Sequence, residues 1–294
     1  MTKIRRIAAV GTSSRKLLPR AIICDEASGK IIFVGEKEMP KRPRVYYRPV
    51  HLETALQQLA QPDTVPLGGG TKLLAADVTV GVVDLQDLGL DQAEQAGDWL
   101  RVGAMARLTD LAALAARHPL LAAAIHRAGP NTYRNAATLG GSIAARLADS
   151  ELLAALLVLE ASLTVYAPEA VVLSLPQFWA LRQPAALITE IRIPWGAGRG
   201  ASERVARTPA DYPIVSVAAW QPEGETVRLA ATGIDALPVR LPASEAAVAT
   251  EGMERAAVLA GEECRHPGDF RGDASYRAQM AAVLTRRVLM QLLR

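Results

Sequence analysis

Cysteine is almost absent from this sequence of 294 residues: there are two, Cys24 and Cys264, far apart and without CxxC spacing. An iron–sulfur cluster or a zinc site needs several ligands at close spacing, so this chain is not expected to build either. So few thiols point to a reducing compartment, and the cytoplasm is the expected location. Aromatic residues are scarce too, at 4%. Proteins that hold single-stranded nucleic acid stack bases on aromatic rings, so nucleic acid is not an expected partner. No run of about 18 apolar residues occurs, which argues against a membrane span. The basic N-terminus lacks the apolar stretch of a signal peptide. No nucleophile–base or acid–base constellation stands out either.

What is present is ordinary in bulk. Half of the residues are hydrophobic and 21% are charged, with 33 basic against 30 acidic residues for a net charge of +3. Such a chain can form two or three domains, each with its own core. The basic residues are scattered except near the start, in "MTKIRR" and in "KEMPKRPR" from Lys37 to Arg44. Runs this short read as solvated faces.

Glycine is where the sequence departs from the ordinary. "VPLGGGTKLLAADV", Val65 to Val78, carries three consecutive glycines followed by Thr71 and Lys72. Glycine loses more chain entropy on folding than any other residue, so such a run implies positive φ or a group that approaches the main chain closely. A phosphate is one such group, held by backbone N–H donors. The spacing fits neither a P-loop nor a dinucleotide fingerprint, because Leu73 stands where the last glycine of the latter belongs. A tight strand-to-helix turn without a ligand accounts for this stretch equally well. About seventy residues later, "RNAATLGGSIAARLADSELLAALLVLEA" (Arg134 to Ala161) supplies Gly140 and Gly141, then the almost wholly apolar Leu152–Leu159. That segment reads as a buried helix, with Asp149, Ser150 and Glu151 at its start. Acidic and hydroxyl residues there serve as helix caps, and one of the two acids is free to reach a ligand hydroxyl.

The rest of the pattern is α/β and then antiparallel. Residues 1–44 form an N-terminal extension, read as a hairpin around Ala27–Gly29 and a proline-containing linker. Leu52, Ala55, Leu56 and Leu59 share a helical face. "TVPL" and "GVVDLQDL" read as strands, and "WLRVGAMARLTDLAALAARH" as a strand, a turn at Gly103 and a helix capped near Thr109. "LTVYA", "AVVLSL" and "ALITEIRIPW" add strands. After a flexible joint at Gly196–Gly200, "DYPIVSVAAW", "ETVRLAATGI" and "LPVRLP" alternate as a meander does, and two helices follow from about Ser244 and Asp273. The apolar stripe of the last is expected to be core.

Two glycine loops on consecutive α/β units with an antiparallel tail resemble the FAD-binding medium subunit of the molybdenum hydroxylases, the carbon monoxide dehydrogenase and xanthine dehydrogenase family, with its PCMH-type FAD-binding fold. The resemblance runs from about Tyr46 to Arg294. It rests on "YYRPVHLETALQQLA", "LGGGTKLL", "RNAATLGGSIA", "LLAALLVLEA", "ITEIRIP", "DYPIVSVAAW" and "DFRGDASYRAQMAAVLTRR" in the family's order. It implies an α+β fold: two small α/β FAD-binding subdomains, residues 45–98 and 99–196, then an antiparallel sheet with C-terminal helices, residues 197–294. It implies FAD with its pyrophosphate between the loops, Gly68, Gly69, Gly70, Thr71 and Lys72 in the first and Thr138, Leu139, Gly140, Gly141 and Ser142 in the second. Leu67, Leu73, Glu151, Leu187 and Arg204 complete the implied site.

By the same resemblance the chain is the flavoprotein subunit of an oxidoreductase. A large partner would carry the molybdenum cofactor and a small partner 2Fe–2S clusters. Electrons would reach FAD here and leave to NAD, oxygen or a quinone. Three positions depart from the family's pattern. Glu151 stands where an Asp near the ribityl chain is usual, Leu147 and Ala148 replace a polar residue and a proline, and Ser202 replaces an aromatic over the flavin ring. These departures leave room for an alternative, a non-redox binding or assembly module with weakened flavin binding. A free-standing oxidase of the vanillyl-alcohol oxidase type shares the FAD architecture, but it often tethers flavin through His or Cys and carries a larger substrate domain.

Overall fold

In the computed structural model, residues 43–293 are described apart from 77, 168 and 182–185, together with two strands at 21–25 and 30–34. Those strands, β1 (Ala21–Asp25) and β2 (Lys30–Val34), pair antiparallel as the β-branched runs suggest. The expected turn at Ala27–Gly29 and most of the expected linker lie outside the described residues. β2 continues onto β3 (Val45–Tyr47). From there α1 (Leu52–Leu59) crosses over, burying Ala55 and Leu59 on the face that its spacing marks out. β4 (Thr64–Leu67) and β5 (Gly81–Asp84) complete a sheet in the order β1-β2-β3-β5-β4, with β3, β5 and β4 parallel. Ligands in open parallel sheets gather at the C-terminal strand ends. β4 ends at Leu67, directly before the triple glycine.

The second sheet is antiparallel throughout. β6 (Ala93–Ala96) and β7 (Trp99–Gly103) precede a block of helices, and β8 (Ser162–Tyr166), β9 (Ala170–Ser174) and β10 (Leu187–Pro194) follow it, in the order β6-β7-β10-β8-β9. The block holds α2 (Leu108–Ala115), α3 (Pro119–Arg127), α4 (Asn131–Arg134), α5 (Leu139–Ala144) and α6 (Glu151–Val158). A short helix unmarked in the sequence, α7 (Leu175–Ala180), starts with a Ser174–Gln177 capping box. Every residue of α6 is buried, because it packs on α3 and also on the third sheet. That is why it has no polar face. Each fully buried leucine contributes about 1.5–3 kcal/mol, an upper estimate since unfolded chains are partly collapsed.

The third sheet, β11 (Gly198–Val205), β12 (Val215–Pro222), β13 (Arg228–Thr232) and β14 (Val239–Arg240), is the expected meander. The expected joint at Gly196–Gly200 is instead largely strand, since β11 begins at Gly198 and pairs with β12 along its whole length. Three helices follow rather than two, α8 (Pro242–Thr250), α9 (Met253–Glu262) and α10 (Ala274–Leu292), with Gly252 in positive φ breaking the first pair. Between α9 and α10 a tight hairpin, β15 (Gly268–Asp269) with β16 (Gly272–Asp273), presents Phe270. α10 covers β11 and β12, and Leu284, Val288 and Leu292 of its stripe are core, as expected. No described helix is long and apolar enough to cross a membrane.

Two other sequence expectations shift. Thr109 does not cap α2: Arg107 holds the cap position without a side-chain bond, and the Thr109 hydroxyl hydrogen-bonds Asn135 Oδ1 at 2.6 Å. α6 is capped by Ser150, whose Oγ accepts from Leu153 N at 3.3 Å, and not by Asp149 or Glu151.

Where the second and third units meet, His118 caps α3 through Nδ1, which accepts from Leu121 N. Its ring stacks on Trp220, with centroids 4.4 Å apart, and lies beside Trp195. Burial holds its pKa below the ordinary 6.5. The unfolded chain therefore takes up a proton that the folded chain resists, so this stability is complete above pH 6.5 and drains away as pH falls below it. His266 is also held low, by burial and then by Arg277. Replacing His118 by Phe should therefore flatten only part of the acid-side fall in Tm measured between about pH 8 and pH 5. An unchanged slope would remove His118 as a cause.

Candidate functional site

The two glycine loops meet. A Cβ on Gly69 would fall well inside contact of the Ala136 carbonyl oxygen, and one on Gly68 would lie 2.9 Å from Thr138 Oγ1. Gly70 turns the chain at φ 70°, a left-handed conformation that glycine adopts freely. Gly140 is pressed against Ala104, where a Cβ would come 2.7 Å from the alanine's own. Gly141 differs: a Cβ there would meet only Thr138 Oγ1, at 2.8 Å. Gly69 and Gly140 thus let the backbones touch, while Gly68 and Gly141 keep open the space where the loops face each other.

Their hydrogen-bonding states also differ. In the second loop Leu139 N donates to Ala106 O, Gly140 N to Ala104 O, Gly141 N to Thr138 Oγ1, and Ser142 N to Thr138 O. Even the Ser142 hydroxyl donates to Thr138 O, at 2.8 Å. In the first loop, the amides of Gly68, Gly69, Gly70, Thr71 and Lys72 have no hydrogen-bond partner among the described residues. Five consecutive amides without a partner among the described residues leave backbone donors available to an anion. Lys72 adds a cation, its ammonium 5.4 Å from the Tyr133 ring centre and 5.6 Å from that of Tyr212. It thereby ties the first loop to the second and third units.

Glu151 opens α6 and is buried, at 7% exposure. Oε1 accepts from Arg127 Nη1 at 3.2 Å, and Arg204 Nη1 stands 3.3 Å from Oε2. The second approach is misaligned, so Oε2 is buried without a hydrogen bond. Burial pushes the Glu151 carboxyl up, opposed by Arg204 and then by Arg127. Arg127 Nη1 also donates to Ser202 Oγ at 3.1 Å, so a guanidinium reaches the small residue at 202. A narrow cleft beside the loops is lined by Arg127, Tyr133, Ser142, Leu147, Glu151 and Tyr212. Asp149 lines it too and is held by Arg271 at 3.0 Å.

Of the remaining implied residues, Leu67 and Leu73 belong to the small core under the first loop, and Leu139 is fully buried in the main core. Leu187 is buried with Met105 and Tyr47, away from the cleft lining. Side chains in those places offer a ligand little beyond their backbone. Arg127, Tyr133 and Tyr212 were not singled out in the sequence. Arg127 was findable only by asking which cation a buried Glu151 requires. A cavity of about 370 Å³ lies elsewhere, on the outer face of the second sheet. There Arg101 and Arg192 are already paired with Glu190. No metal-binding cluster of His, Cys, Asp and Glu occurs among the described residues.

Comparison with known proteins decides the family. Residues 38–196 match the family described as FAD binding domain in molybdopterin dehydrogenase, and residues 201–292 match the CO dehydrogenase flavoprotein C-terminal domain. The chain belongs to this family of oxidoreductase flavoprotein subunits. It is 28% identical over 283 residues to the nicotine 6-hydroxylase medium subunit of Paenarthrobacter nicotinovorans, covering 85% of this chain and 98% of that protein. It is 30% identical over 245 residues to the uncharacterized protein YgfM of Escherichia coli K12, covering 81% and 92%. Among solved structures, carbon monoxide dehydrogenase from Hydrogenophaga pseudoflava superposes with a TM-score of 0.79 at 26% identity, covering 87% of this chain and all but 1% of that one, its 99%. Family membership makes FAD the cofactor to test against the cleft. Free amides, an open glycine-lined space and a buried carboxylate oxygen lacking a donor suit a diphosphate and a polyhydroxyl chain.

The two kinds of glycine should respond differently. Gly69→Ala drives a methyl into the Ala136 backbone, so it should lower the Tm of the FAD-free chain by roughly 3–10 °C, from an overpacking cost of about 1–3 kcal/mol. Gly141→Ala disturbs only the Thr138 hydroxyl, so Tm should stay near wild type while FAD affinity, measured by calorimetry, falls. Equal effects of both substitutions on both quantities would contradict this division.

Proposed function

We propose that this chain is the FAD-carrying electron-transfer subunit of a molybdenum-containing hydroxylase or dehydrogenase. The observation that carries the reading is the row of five amides, Gly68 to Lys72, that have no partner among the described residues and lie against a second glycine loop. Those amides and Lys72 would bind the diphosphate, with Thr71 adding a hydroxyl donor. Gly68 and Gly141 would leave it room. Buried phosphate charge requires several aimed donors, and charge-assisted bonds are the strong ones. Glu151 would accept from a ribityl or ribose hydroxyl through Oε2, held in place by Arg127 and Arg204. Bound FAD supplies two-electron and one-electron redox chemistry, and the protein orients and tunes it.

Electrons would arrive from 2Fe–2S clusters on a small partner subunit, after substrate oxidation at the molybdenum cofactor of a large one. They would leave to NAD, oxygen or a quinone. Two cysteines cannot hold such clusters, which agrees with that division. The alternative, a non-redox module with weakened flavin binding, is disfavoured by the free amides and the open space at Gly141. Arg127, which lines the cleft, donates to the Ser202 hydroxyl at 3.1 Å and would stand where the aromatic is missing.

Acid treatment of the purified chain should release one FAD per chain into the supernatant. A colourless protein that takes up no added FAD would overturn the reading. Within it, Glu151→Gln should weaken FAD binding about ten-fold, the lower end of the 1.5–3 kcal/mol range for bonds to charged groups, and Glu151→Ala more. Unchanged affinity in both variants would remove Glu151 from the site.

A further inference from the structure

The C-terminal unit lines the cleft with Tyr212 and reaches Glu151 with Arg204, yet it grips the cleft's acidic lip from two more points. Arg277 of α10 is fully buried, and its guanidinium spends every donor it can aim. Nη1 donates to Ile214 O and Gly233 O, both at 2.7 Å, Nε to Gly272 O at 3.1 Å, and Nη2 to Asp269 Oδ1 at 2.6 Å. Two paths lead from it to one short segment. Along the first, Gly233 N donates to Ala148 O at 3.3 Å. Along the second, Asp269 anchors the β15–β16 hairpin and pairs with Arg271, whose Nη1 reaches Asp149 Oδ2 at 3.0 Å. Ala148 and Asp149 directly precede the Ser150 cap and Glu151.

Resting on the FAD reading, we infer that Arg271 is a positioning residue of the cofactor cleft: through Asp149 it holds the lip from which Glu151 enters, with Arg277 as the fixed point behind it. Geometry assigns the task to Arg271 and not to the hairpin as a whole. Asp269 stays bonded to Arg277 and to the Arg271 and Gly272 amides whatever side chain stands at 271. Removing the Arg271 guanidinium therefore cuts the link to Asp149 while leaving the hairpin fastened. Asp149 is otherwise unpaired among the described residues, so cutting from either end should have the same result.

The test is a double-mutant cycle on the full chain, with FAD as the probe. Arg271→Met and Asp149→Asn should each raise the Kd for FAD about ten-fold, and the double variant should be no weaker than the worse single, because both remove one link. Arg271→Lys should recover most of the affinity. The visible absorption band of the bound flavin should shift in the single variants and return with Lys. Tm of the FAD-free chain should change little. Wild-type affinity in Arg271→Met, additive losses in the double variant, or a fall in apo Tm with unchanged Kd would each overturn the inference. Wild-type chain that binds no FAD would instead overturn the reading beneath it.

Discussion

The structure depends on the seating of one glycine loop on the other. Gly69 lies against the Ala136 backbone and Gly140 against Ala104, and neither contact tolerates a side chain. The Gly69 contact brings the end of a parallel strand in the first sheet against the helical block of the second, and the Gly140 contact seats the second loop on the end of β7 within its own unit. The interlock also settles a division of labour. The second loop spends its amides on its own fold, through Thr138, Ala104 and Ala106, and becomes a rigid floor. The first loop spends none among the described residues, and its donors remain available. A site that binds an anion needs both, since aimed donors are useful only when their backbone is fixed.

Charge follows the same logic at the far end of the cleft. Glu151 is carried into the interior by α6, a helix buried on all sides. A buried carboxylate is costly unless it is paired. Arg127 and Arg204 reach it from different units, so the pair also draws α3 and β11 together around it. The shortfall at Oε2 is the place where protein groups run out and a ligand hydroxyl fits. Cation and carboxylate hold each other in position rather than act on a substrate, consistent with a protein whose cofactor carries the chemistry.

Much of this was legible in the sequence, for physical reasons. The succession of α1, β4 and β5 followed from helical periodicity ahead of two short apolar strands, and the burial of α6 from its lack of any polar face, whereas β3 went unread. The meander of the third sheet followed from alternation. The glycine loops declared themselves through their cost, and their order along the chain identified the family. What stayed hidden depended on tertiary pairing. The Gly196–Gly200 segment looked flexible by composition, yet β11 starts within it because β12 supplies a partner along its length. Asp149, Ser150 and Glu151 all looked like caps; Ser150 takes that role, and both acids go to arginines distant in sequence. Which loop keeps its amides free also depends on contacts such as Ala104 with Gly140, and spacing does not encode them.

The central claim is that the space between these loops is where FAD binds. Hydrogen–deuterium exchange on the FAD-free chain, with and without added FAD, tests it most directly. Slowed exchange is expected to concentrate at the amides of Gly68–Lys72, which have no partner among the described residues, with a smaller change at Asp149–Glu151 and none on the outer face of the second sheet. Binding of FAD that leaves the Gly68–Lys72 amides exchanging as before would contradict it.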